Sequence, residues 1–267
     1  MDRINIINPV PPNMGSNRAA GNTVKSVERA FNVIGILREH APMTVSALAE
    51  MLDIPTSTVH LHLKTLEHVG YATKDDGEYC LSMRFLRDGV AVRNRNQLYN
   101  VSADEIDELA AKTNEVAALG VEEEGQRVLL YQSKSDEAVY DNALTAEYTN
   151  MHWSALGKAI LAHLPDDRTG LILGEHGLPT QTKYTISDPE TLEGTLSTIR
   201  ERGYSVEDEE RRIGIRSVSV PVIVDEGVVG AISVSGPKNR IHDERIEEEL
   251  LPALRDAVNV IEVKYVY

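Results

Sequence analysis

Between Val24 and Leu81, three helical patterns and a hairpin signal follow one another with almost no spare residues. That order constrains the fold more than any other feature of the chain. In the first pattern Val27, Ala30, Phe31, Ile34 and Leu37 fall on one face at spacings of three and four. Pro42 ends it, because proline lacks an amide donor and restrains the residue before it. Thr44 is placed to cap a second helix, Val45 to Leu52, with Leu48 and Leu52 turned to the core. After the short break Asp53-Ile54-Pro55, a third helix carries Val59, Leu63 and Leu66 as its apolar stripe and stops at Gly70. Tyr71-Ala72 and Tyr79-Cys80-Leu81 then flank a polar tip, Thr73 to Glu78, whose Asp76-Gly77 is a hairpin turn signal. Three helices and a hairpin of this economy describe a winged helix-turn-helix.

The remainder reads differently. Residues 1–22 are rich in Pro, Asn and Gly without apolar period and are expected to form a disordered arm. Phe85 to about Leu98 reads as a linker helix with Arg84, Arg87, Arg93 and Arg95 outward, and Ser102 with Glu105 as the capping box of the next helix. Strand-like runs follow at Val116–Val121, Arg127–Gln132 and Ala138–Leu144, the first two joined at Glu122–Gly125. Helices are expected at Ser154–His163, Asp166–Leu173 and Asp188–Arg202. The last opens on Ser187-Asp188-Pro189-Glu190, a capping box with an N1 proline, and closes at Gly203. Val218–Val224 and Val228–Ser235 are strands, and Asp243–Val263 a final helix. Helices mixed with hairpins predict an α+β fold on an antiparallel sheet. The expected division is an arm at 1–22, a winged helix-turn-helix at 23–84, a linker helix at 85–101 and a second domain at 102–267.

Composition excludes several classes. No stretch approaches the ~18–20 apolar residues of a membrane span, and the amino terminus lacks a basic start followed by an apolar run. One cysteine, Cys80, leaves no disulfide framework or multi-cysteine zinc site, and reads as a buried small hydrophobe in the wing. A soluble cytoplasmic protein with no membrane partner is expected. The net charge is −15, but its distribution is uneven. From Thr23 to Gly89 seven basic and nine acidic side chains nearly cancel, and residues 1–22 add +1, so the rest of the chain carries −14.

The third helix is the strongest candidate for chemistry. A recognition helix reads base edges from its exposed amino-terminal residues and holds phosphates with hydroxyls and basic side chains. Thr56, Ser57, Thr58, His60, Leu61, His62 and Lys64 are so placed, with Thr44 at the start of the second helix and Lys74 in the wing completing the candidate DNA-contacting set. The alternative is that Thr56 or Ser57 merely caps the helix and the histidines are surface residues. His60, His62 and His68 lie on different helical faces with no carboxylate to complete a tetrahedral set, so no metal site is expected. Nor is a catalytic site: Ser154-Ala155-Leu156-Gly157 lacks the G-x-S-x-G of a nucleophile elbow, and phosphate-binding glycine loops and cofactor signatures are missing. In the second domain, Ser233 and Ser235 sit two apart in a strand and point the same way. With a carboxylate from Glu207-Asp208-Glu209-Glu210 and the start of the Ser154 helix they can meet a small polar ligand. The alternative is that the serines cap strand ends and the acids are solvated.

The segments SVERAFNVIGIL, LAEMLDIPTSTVHLHLKTLEHVGY and EYCLSMRFL resemble the IclR family, the isocitrate-lyase-regulator type of transcription factor. So do HWSALGKAILAHLP, ISDPETL, RGYSVEDEERRIGIRSVSVPV and AISVSGPKNRI, and the likeness runs from about Thr23 to Val263. The resemblance implies a winged-helix DNA-binding domain, a linker helix and a GAF-like effector domain in a homodimer or homotetramer. Its double-stranded operator would be palindromic. Its effector would be a small metabolite (sugar-derived, an organic acid or an aromatic acid), and its targets catabolic genes. Carried over by motif, Thr56–Val69 is the recognition helix, and Ala155, Leu156, Glu207, Ser217, Ser233 and Ser235 line the effector pocket. Ser217 stands where the family often has cysteine, Glu207 where it often has aspartate, and Leu61 and His62 where basic residues are common. The six pocket residues include no lysine or arginine, so an anionic effector would rely on hydroxyls and amides, and a neutral sugar is equally allowed. The acidic second domain resembles salt-adapted proteins and suggests a halophilic, haloarchaeal host. Two other readings compete: a small-molecule enzyme with an amino-terminal protein-interaction module, and a DNA binder blind to effectors.

Overall fold

The computed structural model describes residues 23–139 and 144–267. The expected disordered arm, with Arg3 and Arg18, lies outside the described residues. The chain divides between Val92 and Arg93 into two compact units, a division that falls inside the expected 85–101 linker.

In the first unit α1 (Lys25–His40), α2 (Val45–Leu52) and α3 (Thr56–His68) pack around Val33, Leu37, Leu48, Val59, Leu63 and Leu66. Strand β1 (Met43–Thr44) pairs with β3 (Glu78–Leu81), and β3 with β2 (Ala72–Asp75). Asp76 and Gly77 take positive φ at the tip, as the hairpin signal requires. The stripe on α1 is turned from its expected position. Val33 and Leu37 are buried, whereas Val27 and Phe31 are 52% and 64% exposed, because only the carboxyl-terminal half of α1 lies against the core. Leu52, expected in the core, is half-buried at its rim, as is Cys80. Gly70 has φ +81°, and a Cβ there would stand 2.6 Å from the Arg84 guanidinium, which donates to Val69 O at 2.8 Å and closes the end of α3.

The expected helix over Phe85–Leu98 is two helices, α4 (Arg84–Arg93) and α5 (Gln97–Thr113), broken at residues 94–96. Asn96, not Ser102, caps α5, its Oδ1 accepting from Tyr99 N at 3.1 Å. Leu98, Ile106, Leu109 and Ala110 make one continuous buried stripe, which carries Ser102 into the helix interior. Arg93, expected outward, is half-buried with its guanidinium over the Tyr99 ring.

The second unit is built on a six-stranded antiparallel sheet, ordered β6 (Tyr148–Asn150), β5 (Gln126–Lys134), β4 (Val116–Glu123), β9 (Gly227–Pro237), β8 (Ile215–Val224), β7 (Ser205–Asp208). Of the strand expected over Ala138–Leu144, no described residue is in a strand. Ala138, Val139 and Leu144 lie outside any strand, residues 140–143 are outside the described residues, and the edge strand comes later. Its pairing is set by Val128↔Tyr148 and Gln126↔Asn150. Helix α8 (Pro189–Arg202) has the expected N1 proline and closing glycine, but Asp188 is its cap, accepting from Thr191 N at 2.7 Å, and Ser187 is not. The final helix starts at Asp243 as α9 (Asp243–Arg245), passes through a π turn at Ile246–Leu250 and continues as α10 (Leu251–Val266).

The sheet has two unlike faces. Ala117, Leu119, Val218, Val220, Val222, Ile232 and Val234 pack against α5 and α10. Ala118 and Ala231 turn the other way, onto the cluster of α6 (Ala155–Leu161), α7 (Asp166–His176) and α8. Successive strand residues alternate between these faces, so large side chains fill one and small ones leave room on the other. Helix α6 approaches closely. A Cβ on Gly157 would stand 2.1 Å from Met151 O and 2.6 Å from Met151 Cα, both backbone atoms that cannot swing aside. We predict that Gly157→Ala destabilises the protein by about 2 kcal/mol or more through overpacking, read as a lower denaturant midpoint.

Candidate functional site

Helix α3 starts at Thr56 with Pro55 at the cap position and no side-chain capping bond. The alternative in which Thr56 or Ser57 spends its hydroxyl as a cap therefore does not hold. The first helical carbonyl, Pro55 O, accepts from Thr58 N and Val59 N. Val59, Leu63 and Leu66 face the core, so Thr56, Ser57, His60, Leu61 and Lys64 are exposed and Thr58 and His62 half-exposed. Leu61, 66% exposed, is an apolar side chain in the middle of this face. Thr44 Oγ1 caps α2, accepting from Ala47 N at 3.3 Å, and a hydroxyl can still donate. Lys74 is exposed on the wing with Nζ 5.3 Å from the Tyr79 ring centroid. The unit thus presents hydroxyls, imidazoles and one lysine at the start of one helix, with a second lysine on the hairpin.

The second site is a cavity of about 410 Å³, including its open mouth, between the small-residue face of the sheet and α6. All six residues carried over by motif line it: Ala155, Leu156, Glu207, Ser217, Ser233 and Ser235. Register explains their meeting. Glu207 pairs with Ser217, Ser217 with Ser235 and Ser235 with Val116, so one rung crosses β7, β8, β9 and β4. Ser233 opposes Ala118 two residues along, on the same face of the sheet. Ser154 caps α6, Oγ accepting from Gly157 N at 3.0 Å, which explains that serine without any nucleophilic role.

Glu207 is fully buried. Its carboxylate accepts from Ser217 Oγ at 3.0 Å and from Arg211 N at 3.1 Å. Burial nonetheless pushes its carboxyl up to about 7, against the pull of the Arg211 charge and these hydrogen bonds. Near neutrality it therefore exchanges between an acceptor and a donor to whatever occupies the cavity. Its loop is tied down from below. Lys158 of α6, 1% exposed, is ion-paired to Glu210, while Thr185 Oγ1 donates to Glu210 O at 2.7 Å and Thr182 Oγ1 to Glu209 O at 2.7 Å.

Sequence reasoning missed Arg127, Gln132 and Arg211 in the cavity wall. The expectation of a pocket without arginine is thereby corrected. Arg211 was obscured by an acidic run, and Arg127 by an alternation that could equally have turned it to solvent. Gly120 held a clue: with no Cβ there, Arg127 Cδ and Leu156 Cδ1 come within 3.4 Å and 3.1 Å of where one would stand. Among the described residues no group of three or more His, Cys, Asp or Glu side chains is arranged to hold a metal. No described helix is long and apolar enough to cross a membrane.

Residues 26–76 match the IclR helix-turn-helix domain model, and residues 90–263 match the model described as bacterial transcriptional regulator IclR C-terminal. The chain is 34% identical over 254 residues to the "Probable HTH-type transcriptional regulator ArcR" of Halobacterium salinarum, covering 93% of this chain and 97% of that one. The crystal structure of the Thermotoga maritima IclR superposes with a TM-score of 0.78 at 26% identity, over 91% of this chain and 99% of that one. An IclR homologue from Microbacterium hydrocarbonoxydans, complexed with 4-hydroxybenzoate, shares the fold with a TM-score of 0.76 at 24% identity over 90% and 99% of the two chains. With both units matched in order and a relative alike along almost its whole length, this chain belongs to the IclR family of DNA-binding transcriptional regulators.

Proposed function

We propose that this protein senses a small catabolic metabolite in the cavity beneath α6 and controls catabolic genes through a palindromic operator. The observation that carries the reading is the convergence of the six motif-matched residues on one cavity. Glu207, Ser217 and Ser235 supply hydrogen bonds from one rung, Ser233 from two residues along the same face, and Ala155 and Leu156 close the cavity from α6. Thr56, Ser57, Thr58, His60, Leu61, His62 and Lys64 enter the major groove, while Thr44 and the wing's Lys74 meet the flanking backbone. The protein acts as a homodimer or homotetramer in the cytoplasm, with α4 as part of the linker between sensing and DNA-binding units. Exposed Val27 and Phe31 on α1 and Leu86 and Val90 on α4 supply apolar surface for self-association. Half-sites then lie about 10 bp apart or a multiple of it. The effector acts by binding one arrangement of the two units better than the other.

A role in binding rather than turnover is supported by the engagement of Ser154 as a helix cap and by relatives that are themselves regulators. The acidic excess beyond Gly89 and the likeness to a Halobacterium regulator support salt adaptation.

Ser57→Ala is expected to weaken the operator about tenfold while sparing random DNA. Lys64→Ala should weaken both alike and flatten the salt dependence by about one unit of slope; fluorescence anisotropy on both duplexes separates these outcomes. In a thermal-shift screen of sugars, sugar acids, aromatic acids and keto acids, a ligand at a hundred times its Kd adds about 2.7 kcal/mol. Ser235→Ala should remove that shift and leave unliganded operator binding intact. A rise in Tm between about 0.1 and 3 M KCl is expected from screened self-repulsion, and an unchanged Tm contradicts salt adaptation.

A further inference from the structure

We propose that Leu61 is a specificity-determining residue that reads the C5-methyl of a thymine in each operator half-site. The inference rests on the reading of α3 as the helix that enters the major groove. On α3 the core takes Val59, Leu63 and Leu66. Counting about 100° per residue, Leu61 stands about 190° round from the middle of that stripe, on the line farthest from the core. Ser57, one turn before it, and Lys64, one turn after it, share this outer line. Leu61 is 66% exposed, whereas Val59 and Leu63 are fully buried. It therefore adds nothing to the core of the unit. A lone exposed leucine needs no explanation on an ordinary surface. This one occupies the crest of the helix, about 6 Å along the axis from Ser57.

The neighbours of Leu61 narrow what it can touch. Ser57, Thr58, Lys64 and Thr65 stand three and four positions away, all polar and all exposed or half-exposed. No apolar patch on α3 surrounds Leu61, and such a patch is what packing against another protein would need. Thr65 Oγ1 donates to Leu61 O at 2.9 Å, which commits that hydroxyl's proton to the helix. The major groove presents a single apolar group, the methyl of thymine, among donors and acceptors. Over a cytosine amino group or a purine N7, a leucine displaces water and returns no hydrogen bond. Over a thymine methyl, two apolar groups leave water together. Ser57 and Lys64, on the same line, fix the register by bonding a neighbouring base edge and the phosphate backbone. The leucine contact carries no charge, so it keeps its strength in concentrated salt, where the contribution of Lys64 is screened.

The test begins with selection of operator duplexes from a random pool by the full chain. Each thymine of the selected site is then replaced in turn by deoxyuridine, which removes only the methyl, and binding is read by fluorescence anisotropy. One thymine per half-site should respond with a loss of about fourfold, the worth of one buried methyl. Cytosine there should cost about tenfold or more, and 5-methylcytosine should recover part of that loss. Leu61→Ala should weaken the thymine operator by at least the same factor and remove the distinction between thymine and uracil at that position alone, with melting unchanged. Leu61→Met should keep the distinction. The thymine-over-uracil ratio should hold from about 0.5 to 2 M KCl while the Lys64→Ala penalty shrinks. The proposal is overturned if no thymine is coupled to Leu61, or if Leu61→Ala alters the oligomeric state in sedimentation with base preference intact. Ser57→Ala and Lys64→Ala separate the two levels. If no sequence emerges from the pool, or neither variant changes operator binding, α3 is not the reading helix. If both weaken binding while Leu61→Ala leaves the thymine preference untouched, only the role of Leu61 falls.

Discussion

The unequal packing of the two faces of the central sheet is the constraint on which the second unit depends. Val218, Val220, Val222, Ile232 and Val234 weld the sheet to α5 and α10, while Ala118, Gly120, Ala231, Ser217, Ser233 and Ser235 face α6. Burial of the large side chains supplies the stability, and the small ones, unable to fill the space beneath α6, leave a cavity walled by hydroxyls. Helix α6 is held at its distance by the backbone contact at Gly157 and by Ser205 Oγ donating to Ala155 O at 2.6 Å. A larger residue at any of these positions would close the space.

A buried electrostatic layer lies behind the cavity. Lys158 and Glu210 form an ion pair that solvent barely reaches, and Thr182 and Thr185 bind the carbonyls of the same loop. Removing one member of such a pair leaves an uncompensated charge and is far more damaging than exchanging both. Glu207 is thereby held in a position where its carboxyl titrates near neutrality. The loop at residues 208–214 is closed by Glu209, which is tied to Lys238 at 2.7 Å and accepts from Gly214 N at 2.9 Å.

The DNA-binding unit follows a simpler logic. Its core is made of alternate turns of three short helices, and what remains outside α3 is available for recognition because Pro55 leaves the helix start without a side-chain cap. The wing is joined to the end of α3 by Gly70, Arg84 and Ser82, whose Oγ donates to Gly70 O at 2.6 Å. Tyr71 hydrogen-bonds Asp88, tying the start of α4 to the same corner.

Local signals determined a great deal without tertiary help. Thr44 and Gly203 act within one helical turn, and Asp76-Gly77 and Gly125 sit at turns whose positive φ aspartate and glycine accept most readily. The winged helix-turn-helix and the candidate recognition face were legible for that reason, as were the hydroxyls of Ser233 and Ser235, whose common face follows from the period of a strand. Signals that compete with packing were misleading: Ser102 lost to Asn96 because burial of the Leu98–Ile106 stripe outweighs a capping bond, and α1 turned Phe31 outward. Which strand lies beside which, and hence that Glu207, Ser217, Ser235 and Val116 form one rung, is decided by tertiary pairing, which for Val116 and Ser235 joins residues more than a hundred positions apart. The same holds for Arg127, whose alternation in β5 is compatible with solvent or cavity. Only the close approach of α6 over Gly120 decides between them, and that approach belongs to the folded chain as a whole.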